Sequence, residues 1–130
     1  MSRRTGVALV TGAVLLAVMS VIIPRRTLER RIRERELATE LYQLRCAGCH
    51  ELENGIGSPL DPRVLASYRT AQILFNYVRL AMPYEAPRTL SNEEYWMTVG
   101  HLLRSRGMVD ADAVVNEETA EAITLDGSVS

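Results

Sequence analysis

The chain opens with an apolar stretch that is long enough to cross a membrane. Residues 6–23 form a run of eighteen uncharged residues, rich in Val, Leu, Ala and Ile, and arginines flank the run on both sides. As a helix it would span roughly 27 Å, close to the thickness of a bilayer's hydrocarbon core. A cleaved signal peptide, the competing interpretation, has a shorter apolar region and a small-x-small cleavage site. The pattern favours a transmembrane anchor over residues 1–24.

The stretch after the anchor is charged at first and amphipathic later. Residues 25–36 are mainly arginine and glutamate, and pairs such as Arg30 and Glu34 lie four residues apart, which supports an exposed helix. Apolar residues then recur at helical spacing as far as Leu44. The pattern predicts a helical stalk over residues 25–36 and a packing helix at the start of a domain that covers residues 37–107.

Glycine and proline separate the remaining elements. They predict a loop over residues 51–62, and apolar spacing predicts a helix over residues 70–81 that stops before a proline. The clearest helix covers residues 91–106, because a Ser-x-x-Glu capping box opens it and a glycine follows it. No run alternates at the period of a strand, so the fold class is all-α. Residues 108–130 are predicted to be a weakly structured tail with one short turn over residues 116–123.

Charge is unevenly distributed, although the net charge is only −1. Residues 1–45 hold nine arginines and four glutamates, whereas residues 107–130 hold six acids and no base. The neutral balance argues against a nucleic-acid binder, which would show a strongly basic face. Two cysteines rule out a disulfide-dense scaffold. The part outside the anchor is short, and a chain of that size usually needs a metal, a disulfide or a cofactor to stabilise its thin core.

The strongest chemical signal is the sequence Cys-Ala-Gly-Cys-His over residues 46–50. Two thiols at this spacing can each add to a haem vinyl group, and the adjacent imidazole then ligates the iron. A thioredoxin-like redox pair would lie at a strand-to-helix junction, and a zinc site would need two more ligands, for which His101 is the only other candidate. The motif therefore predicts one covalently attached haem c, bound through Cys46, Cys49 and His50.

The order of features over residues 36–107 is similar to that of class I c-type cytochromes. An amphipathic helix ends in the haem motif and is followed by a Gly/Pro loop, a helix and a Met-Pro pair. The last segment, APRTLSNEEYWMTVGHLLRSRG, resembles that of many bacterial domains of this class. The resemblance implies a small class I cytochrome c fold. It also implies that Met82 is the distal iron ligand and that the carbonyl of Pro59 accepts a hydrogen bond from the proximal imidazole.

Two positions depart from the usual pattern of that family. Glu51 stands where a glycine often follows the histidine, and His101 stands where an aromatic residue commonly packs on the first helix. His101 as the distal ligand would give a bis-histidine haem, but its helix would then have to face the iron. Met97 and Met108 also compete for the iron. The pattern favours Met82 as the ligand and a surface or packing role for His101.

These features predict an electron-transfer protein and not an enzyme. Histidine–methionine ligation leaves no iron site for a substrate, and no general acid, base or nucleophile constellation occurs elsewhere, so no small-molecule substrate is expected. The alternative is a haem enzyme or gas sensor with a labile sixth ligand, which the presence of Met82 disfavours. The expected partners are the membrane, through the N-terminal helix, and redox proteins or a respiratory or photosynthetic membrane complex, with no nucleic acid.

The predicted location is the inner membrane, with a single span and the haem domain on the periplasmic face. Six arginines within residues 25–35 follow the anchor and two precede it, so the positive-inside rule alone would keep the domain in the cytoplasm. Resemblance to the family implies haem attachment on the outer face, and this decides the predicted orientation. The acidic tail over residues 108–130 is expected either to contact a basic partner or to be solvated.

Overall fold

The structure, a computed structural model, describes residues 24–126. The predicted transmembrane run over residues 6–23 lies outside the described residues. Within residues 24–126 no helix is both long enough and apolar enough to cross a membrane. The chain divides into two units, Met1–Glu34 and Arg35–Ser130.

The described part of the first unit, residues 24–34, is helical throughout. Arg30 Nε lies 3.6 Å from the carboxylate of Glu34, one helical turn away, and the two side chains are 73% and 57% exposed. An exposed pair of this kind contributes about 0–1 kcal/mol, so it supports the helix only slightly. The helix predicted for this charged stretch is confirmed over the described residues.

The second unit contains four helices in its described part, residues 35–126. Within this unit, helix α1 covers residues 35–50: it is α-helical over residues 35–42, continues through a π-helical turn at Gln43–Ala47 and ends with the turn Gly48–His50. The other three helices are α2 (Pro62–Ala66), α3 (Ala71–Ala81) and α4 (Asn92–Ser105). Helices α3 and α4 pack against each other. Residues 24–126 contain one isolated β-bridge and no strand, which confirms the all-α prediction for this part of the chain.

Side chains cap the N-termini of α3 and α4. Thr70 Oγ1 accepts a hydrogen bond from the backbone of α3, and Ser91 and Glu94 form the predicted capping box at the start of α4. The two bonds of the box measure 3.2 Å and 2.7 Å. Each such cap contributes about 1 kcal/mol. The capping box at Ser91 and Glu94 was predicted from the residues, whereas the cap at Thr70 was not.

The short helix α2 was not predicted, although its start has a recognisable signal. Asp61 Oδ1 accepts from the backbone N–H groups of Arg63 and Val64, at 2.8 Å and 3.0 Å. Pro62 occupies the first turn, where its missing N–H costs nothing. An Asp-Pro pair can begin a helix as well as a turn. The glycines and prolines of residues 51–62 predicted only a loop, and no helix was predicted to begin at Pro62.

The buried core is formed by all four helices, with Tyr42 and Ala47 contributed by α1. Phe75 on α3 stacks on Trp96 on α4, with the ring centroids 3.7 Å apart and the planes 8° apart. The largest fully buried side chains, which include one from the C-terminal segment, are Tyr95, Leu65, Leu74, Leu103, Leu125 and Val99. Full burial of a residue of this size contributes about 1.5–3 kcal/mol, so these side chains hold α3 and α4 together.

The segment after α4 packs on the helices, and the prediction of a weakly structured tail is therefore wrong for residues 108–126. The backbone N–H of Leu125 donates to Arg69 O at 2.7 Å, and the N–H of Ala71 donates to Ile123 O at 3.0 Å. These bonds attach the segment to the N-terminus of α3. Four apolar residues of the segment are buried: Met108, Val115, Ala120 and Leu125. The predicted turn is present, with Ala120 N donating to Asn116 O.

Candidate haem-binding site

One cavity of about 810 Å³ brings together the four side chains predicted to hold the haem. Cys46, Cys49 and His50 reach it from the end of α1, and Met82 reaches it from the residue that follows α3. Its volume lies within the range of cofactor and ligand sites, about 300–1,000 Å³. Much of the remaining wall is apolar and includes Leu60, Val64, Leu74, Val78, Val99 and Leu102. The cavity therefore combines sulfur and imidazole donors with an apolar lining.

The two cysteines lie where α1 departs from regular α-helical geometry. Cys46 belongs to the π-helical turn, and Cys49 belongs to the α-helical turn that follows. Turns of the π type are frequent at functional sites. Burial, and then the neighbouring Cys49, raise the pKa of the Cys46 thiol to about 11. A redox-active cysteine has a lowered pKa, so this environment does not suit a thioredoxin-like pair.

A zinc site, the other alternative, would need further ligands close to the two cysteines. No group of three or more His, Cys, Asp or Glu side chains within residues 24–126 is arranged to hold a metal ion.

The imidazole of His50 is oriented by the loop that follows the haem motif. Its Nδ1 lies 2.7 Å from the carbonyl oxygen of Ser58. A carbonyl can only accept, so Nδ1 carries the proton and Nε2 keeps a lone pair for a metal. The predicted partner was the carbonyl of Pro59, and this prediction is wrong by one residue. Pro59 is exposed and is not among the residues that line the cavity.

A glycine explains why Ser58, and not Pro59, faces the imidazole. The backbone N–H of Gly57 donates to Cys49 O at 2.9 Å, which holds the loop against the end of α1. A Cβ at Gly57 would lie 2.6 Å from His50 Nδ1 and 3.0 Å from Cys49 O, closer than real contacts allow. The loop can approach the histidine this closely only with glycine at position 57. In this loop conformation the carbonyl that reaches His50 Nδ1 is that of Ser58.

Glu51, the residue that departs from the family pattern, is held by two side chains that the sequence did not single out. Tyr42 donates its O–H to Glu51 Oε1, and Arg106 Nη2 pairs with the same oxygen. The hydrogen bond from Tyr42, and then Arg106, lower the pKa of the Glu51 carboxyl. Arg106 Nε also donates to Leu60 O at 2.8 Å. The cluster therefore ties the residue after His50 to the end of α4 and to the loop.

Met82 is held through its backbone. Its N–H donates to Val78 O at 2.8 Å, and the O–H of the buried Tyr95 donates to Met82 O at 2.7 Å. The peptide bond between Met82 and the following proline is cis. Met97 and Met108 do not line the cavity. Among the methionines of residues 24–126, Met82 is the only one that does.

His101 lies behind the cavity wall and not in it. Its Nδ1 is 3.2 Å from Thr39 Oγ1, and its ring centroid is 5.0 Å from that of Tyr42. Burial, and then the charges of Arg104 and Arg106, lower the pKa of His101. Since His101 is not among the cavity-lining residues, this arrangement agrees with a packing role and gives no support to a bis-histidine site.

The residues present fit a covalently attached haem. Two thiols suit two thioether bonds, the imidazole keeps Nε2 for iron, and an apolar cavity suits the macrocycle. Residues 34–102 match a family described as "Cytochrome C oxidase, cbb3-type, subunit III". No curated protein and no solved structure matches the chain. The match covers more than half of the sequence, so the chain belongs to this family and is a c-type cytochrome that carries covalently attached haem c and transfers electrons.

Proposed function

We propose that this protein is a membrane-anchored monohaem cytochrome c in which His50 and Met82 would hold the haem iron. The observation that carries the proposal is the shared cavity, which both side chains line together with Cys46 and Cys49. When bound, haem supplies a one-electron couple between ferric and ferrous iron. With a protein ligand on each face of the iron, the site has no position for a substrate.

The surrounding residues each have a defined part in this proposal. Cys46 and Cys49 hold the cofactor covalently, and the Ser58 carbonyl keeps Nε2 of His50 available for the iron. Tyr95 holds the backbone of Met82. The apolar wall limits the access of water, and low access to water is one of the means by which proteins raise haem potentials.

The family description supports a place for the protein in a membrane complex, because it names subunit III of a cbb3-type oxidase. In this proposal residues 6–23 are the single span in the inner membrane, residues 25–36 are a stalk and residues 37–107 are the haem domain on the outer face. The expected electron donors and acceptors are redox proteins or other subunits of that complex.

The proposed ligation is tested by replacing Met82 with alanine in the haem-loaded protein. We expect Met82→Ala to keep the haem, since it is attached covalently, but to lose the weak methionine–iron absorption band at the red end of the spectrum. The potential should fall and the reduced iron should bind carbon monoxide. Met97→Ala is the matched control, because this methionine does not line the cavity. A band that survives Met82→Ala and disappears in Met97→Ala or Met108→Ala would exclude the assignment.

The proposed orientation is tested separately with a reporter that is active only in the cytoplasm, fused after Ser130. We expect it to be silent, because the haem domain is placed outside the cytoplasm. Strong reporter activity would overturn the topology. It would leave the ligation of the iron to be decided by the methionine variants.

A further inference from the structure

A second cavity, of about 280 Å³, is lined by residues of α1, of α4 and of the C-terminal segment. Its lining includes two guanidinium groups, one imidazole and two hydroxyl groups, and it contains no carboxylate. The lining residues are Arg35, Thr39, His101, Arg104, Ser105 and Ala111. This cavity shares no lining residue with the cavity that contains His50 and Met82.

The positive charge of this cavity is not neutralised by the protein. Both guanidinium groups line the cavity; Arg104 is half-buried and Arg35 is exposed. Burial, and then the charge of Arg35, lower the pKa of Arg104. Neither arginine forms an ion pair with a carboxylate within residues 24–126. Asp110 and Asp112 flank Ala111 in the sequence, but both are exposed and neither lines the cavity. Like charges held together without a counter-ion are unfavourable, and an anion would remove that cost.

Hydrogen bonds within the protein use the donors of the other polar side chains in the cavity, including the hydroxyl proton of Ser105, which goes to Leu102 O at 2.9 Å, so the guanidinium groups are the donors left for an anion. Thr39 Oγ1 donates to Arg35 O at 2.9 Å, so its oxygen accepts from Nδ1–H of His101 at 3.2 Å. Arg104 Nη1 donates to Ala113 O at 3.1 Å, which leaves the other N–H groups of this guanidinium available. A site whose groups are held before binding loses less entropy when the ligand arrives.

We propose that this cavity binds a phosphate group between the guanidinium groups of Arg35 and Arg104. Guanidinium forks match the geometry of phosphate oxygens, and both forks line the cavity. The cavity is at the lower end of ligand-site volumes, which suits a single phosphate group better than a nucleotide. Inorganic phosphate and the headgroup of an anionic phospholipid present the same chemistry. The proposal does not depend on how the haem iron is ligated.

The test uses the full, haem-loaded and reduced chain in neutral detergent micelles, with the arginine side-chain N–H resonances observed by NMR. In one arm inorganic phosphate is added at constant ionic strength, with chloride as the compensating anion. In the other arm the micelles are doped with phosphatidylglycerol. We expect saturable shifts for Arg35 and Arg104 in at least one arm. Arg106, which is already paired with Glu51, should not move.

Two variants each remove one arginine charge, one inside the cavity and one outside it. Arg35→Gln should weaken binding by about fivefold or more, the effect of losing one charge-assisted contact. Arg63→Gln should leave it unchanged, because this exposed arginine does not line the cavity. A response to phosphate that Arg35→Gln weakens would support a free anion, and a response to the lipid alone that Arg35→Gln weakens would support a headgroup. Shifts that do not saturate, equal effects of the two variants, or no response in either arm would overturn the proposal.

Discussion

His50 and Met82 line the same cavity, but the structure supports them in different ways. The imidazole of His50 is itself hydrogen-bonded, to Ser58 O, and the loop that supplies this carbonyl is tied back to Cys49 through Gly57. Met82 is held by hydrogen bonds to its backbone, from Tyr95 and to the last turn of α3. The imidazole of His50 is thus oriented by contacts within ten residues, although Arg106 also ties the adjacent Glu51 and the loop to the end of α4. Met82 depends on Tyr95 of α4 and on the position of α3.

This difference has a consequence for how each side responds to change. On the Met82 side, α3 carries the methionine at its C-terminal end, and its N-terminus is held by the backbone of residues 123–125. Damage far from the cavity should therefore reach Met82. On the His50 side, damage should come from the loop itself, because the close approach of Gly57 leaves no space for a larger residue.

The largest effect is expected at Gly57, on the His50 side. Gly57→Ala would place a Cβ 2.6 Å from His50 Nδ1 and 3.0 Å from a backbone oxygen, so the loop or the imidazole must move. We expect a loss of about 3 kcal/mol in the free energy of unfolding, at the upper end of the usual cost of overpacking, together with a low yield of haem-loaded protein. Chemical denaturation and the absorption spectrum of the purified protein measure the two effects.

Ser58→Ala is the matched control for Gly57→Ala. Ser58 is exposed and contributes its backbone carbonyl, which alanine retains, so the spectrum and the stability should both be close to those of the unmodified protein. If Gly57→Ala were as stable and as fully loaded with haem as Ser58→Ala, neither stability nor haem loading would depend on the close approach of the loop to His50.

The next effect is expected at Leu125, on the Met82 side. This residue is 0% exposed, and its backbone N–H donates to Arg69 O just before α3. Leu125→Ala should lower the free energy of unfolding by about 2–3 kcal/mol and make the methionine–iron band disappear at a lower temperature. Val114→Ala, at a residue that is 49% exposed in the same segment, should change the stability by less than about 0.5 kcal/mol. Equal stabilities of the two variants would show that the segment does not support α3.

The sequence was informative where the signals are local, and less so elsewhere. The haem motif and the capping box at Ser91 and Glu94 are short patterns with a direct physical meaning, so the haem and the last helix were predicted correctly. The acceptor for His50 was misplaced by one residue because resemblance pointed to Pro59. The close approach of Gly57 that decides the position is visible only in three dimensions.

The C-terminal segment shows the other limit of sequence-based prediction. Its buried residues occur singly, at irregular spacing, among acidic and small residues, and no helical or strand period identifies them. Three of its backbone hydrogen bonds run to residues 69–72, more than forty positions away. Composition alone made this stretch look like a solvated tail, although Leu125 is as deeply buried as any residue of the core.

A smaller effect is expected when Tyr95, which contacts Met82, or Tyr42, which contacts Glu51 beside His50, is replaced by phenylalanine. Tyr95→Phe removes the hydrogen bond to Met82 O, and Tyr42→Phe removes the hydrogen bond to Glu51. Each change should lower the free energy of unfolding by about 1 kcal/mol. Only Tyr95→Phe should also weaken the methionine–iron band on heating, since Tyr42 lies on the His50 side. If both variants affected the band equally, the two sides would not be independently supported.

The smallest effect concerns pH and belongs to the His50 side, through the packing of His101 on Tyr42. Burial, and then Arg104 and Arg106, lower the pKa of His101, while Glu51 acts in the opposite direction. The unfolded chain therefore takes up a proton at this residue more readily than the folded protein does. Stability is then complete above the ordinary pKa of histidine, about 6.5, and declines as the pH falls below it. The chain has two histidines, and His50 is assigned to the iron, so His101→Gln should flatten the stability profile just below pH 6.5. Denaturation midpoints across this range measure the slope, and an unchanged slope in the variant would assign the acid sensitivity to other groups.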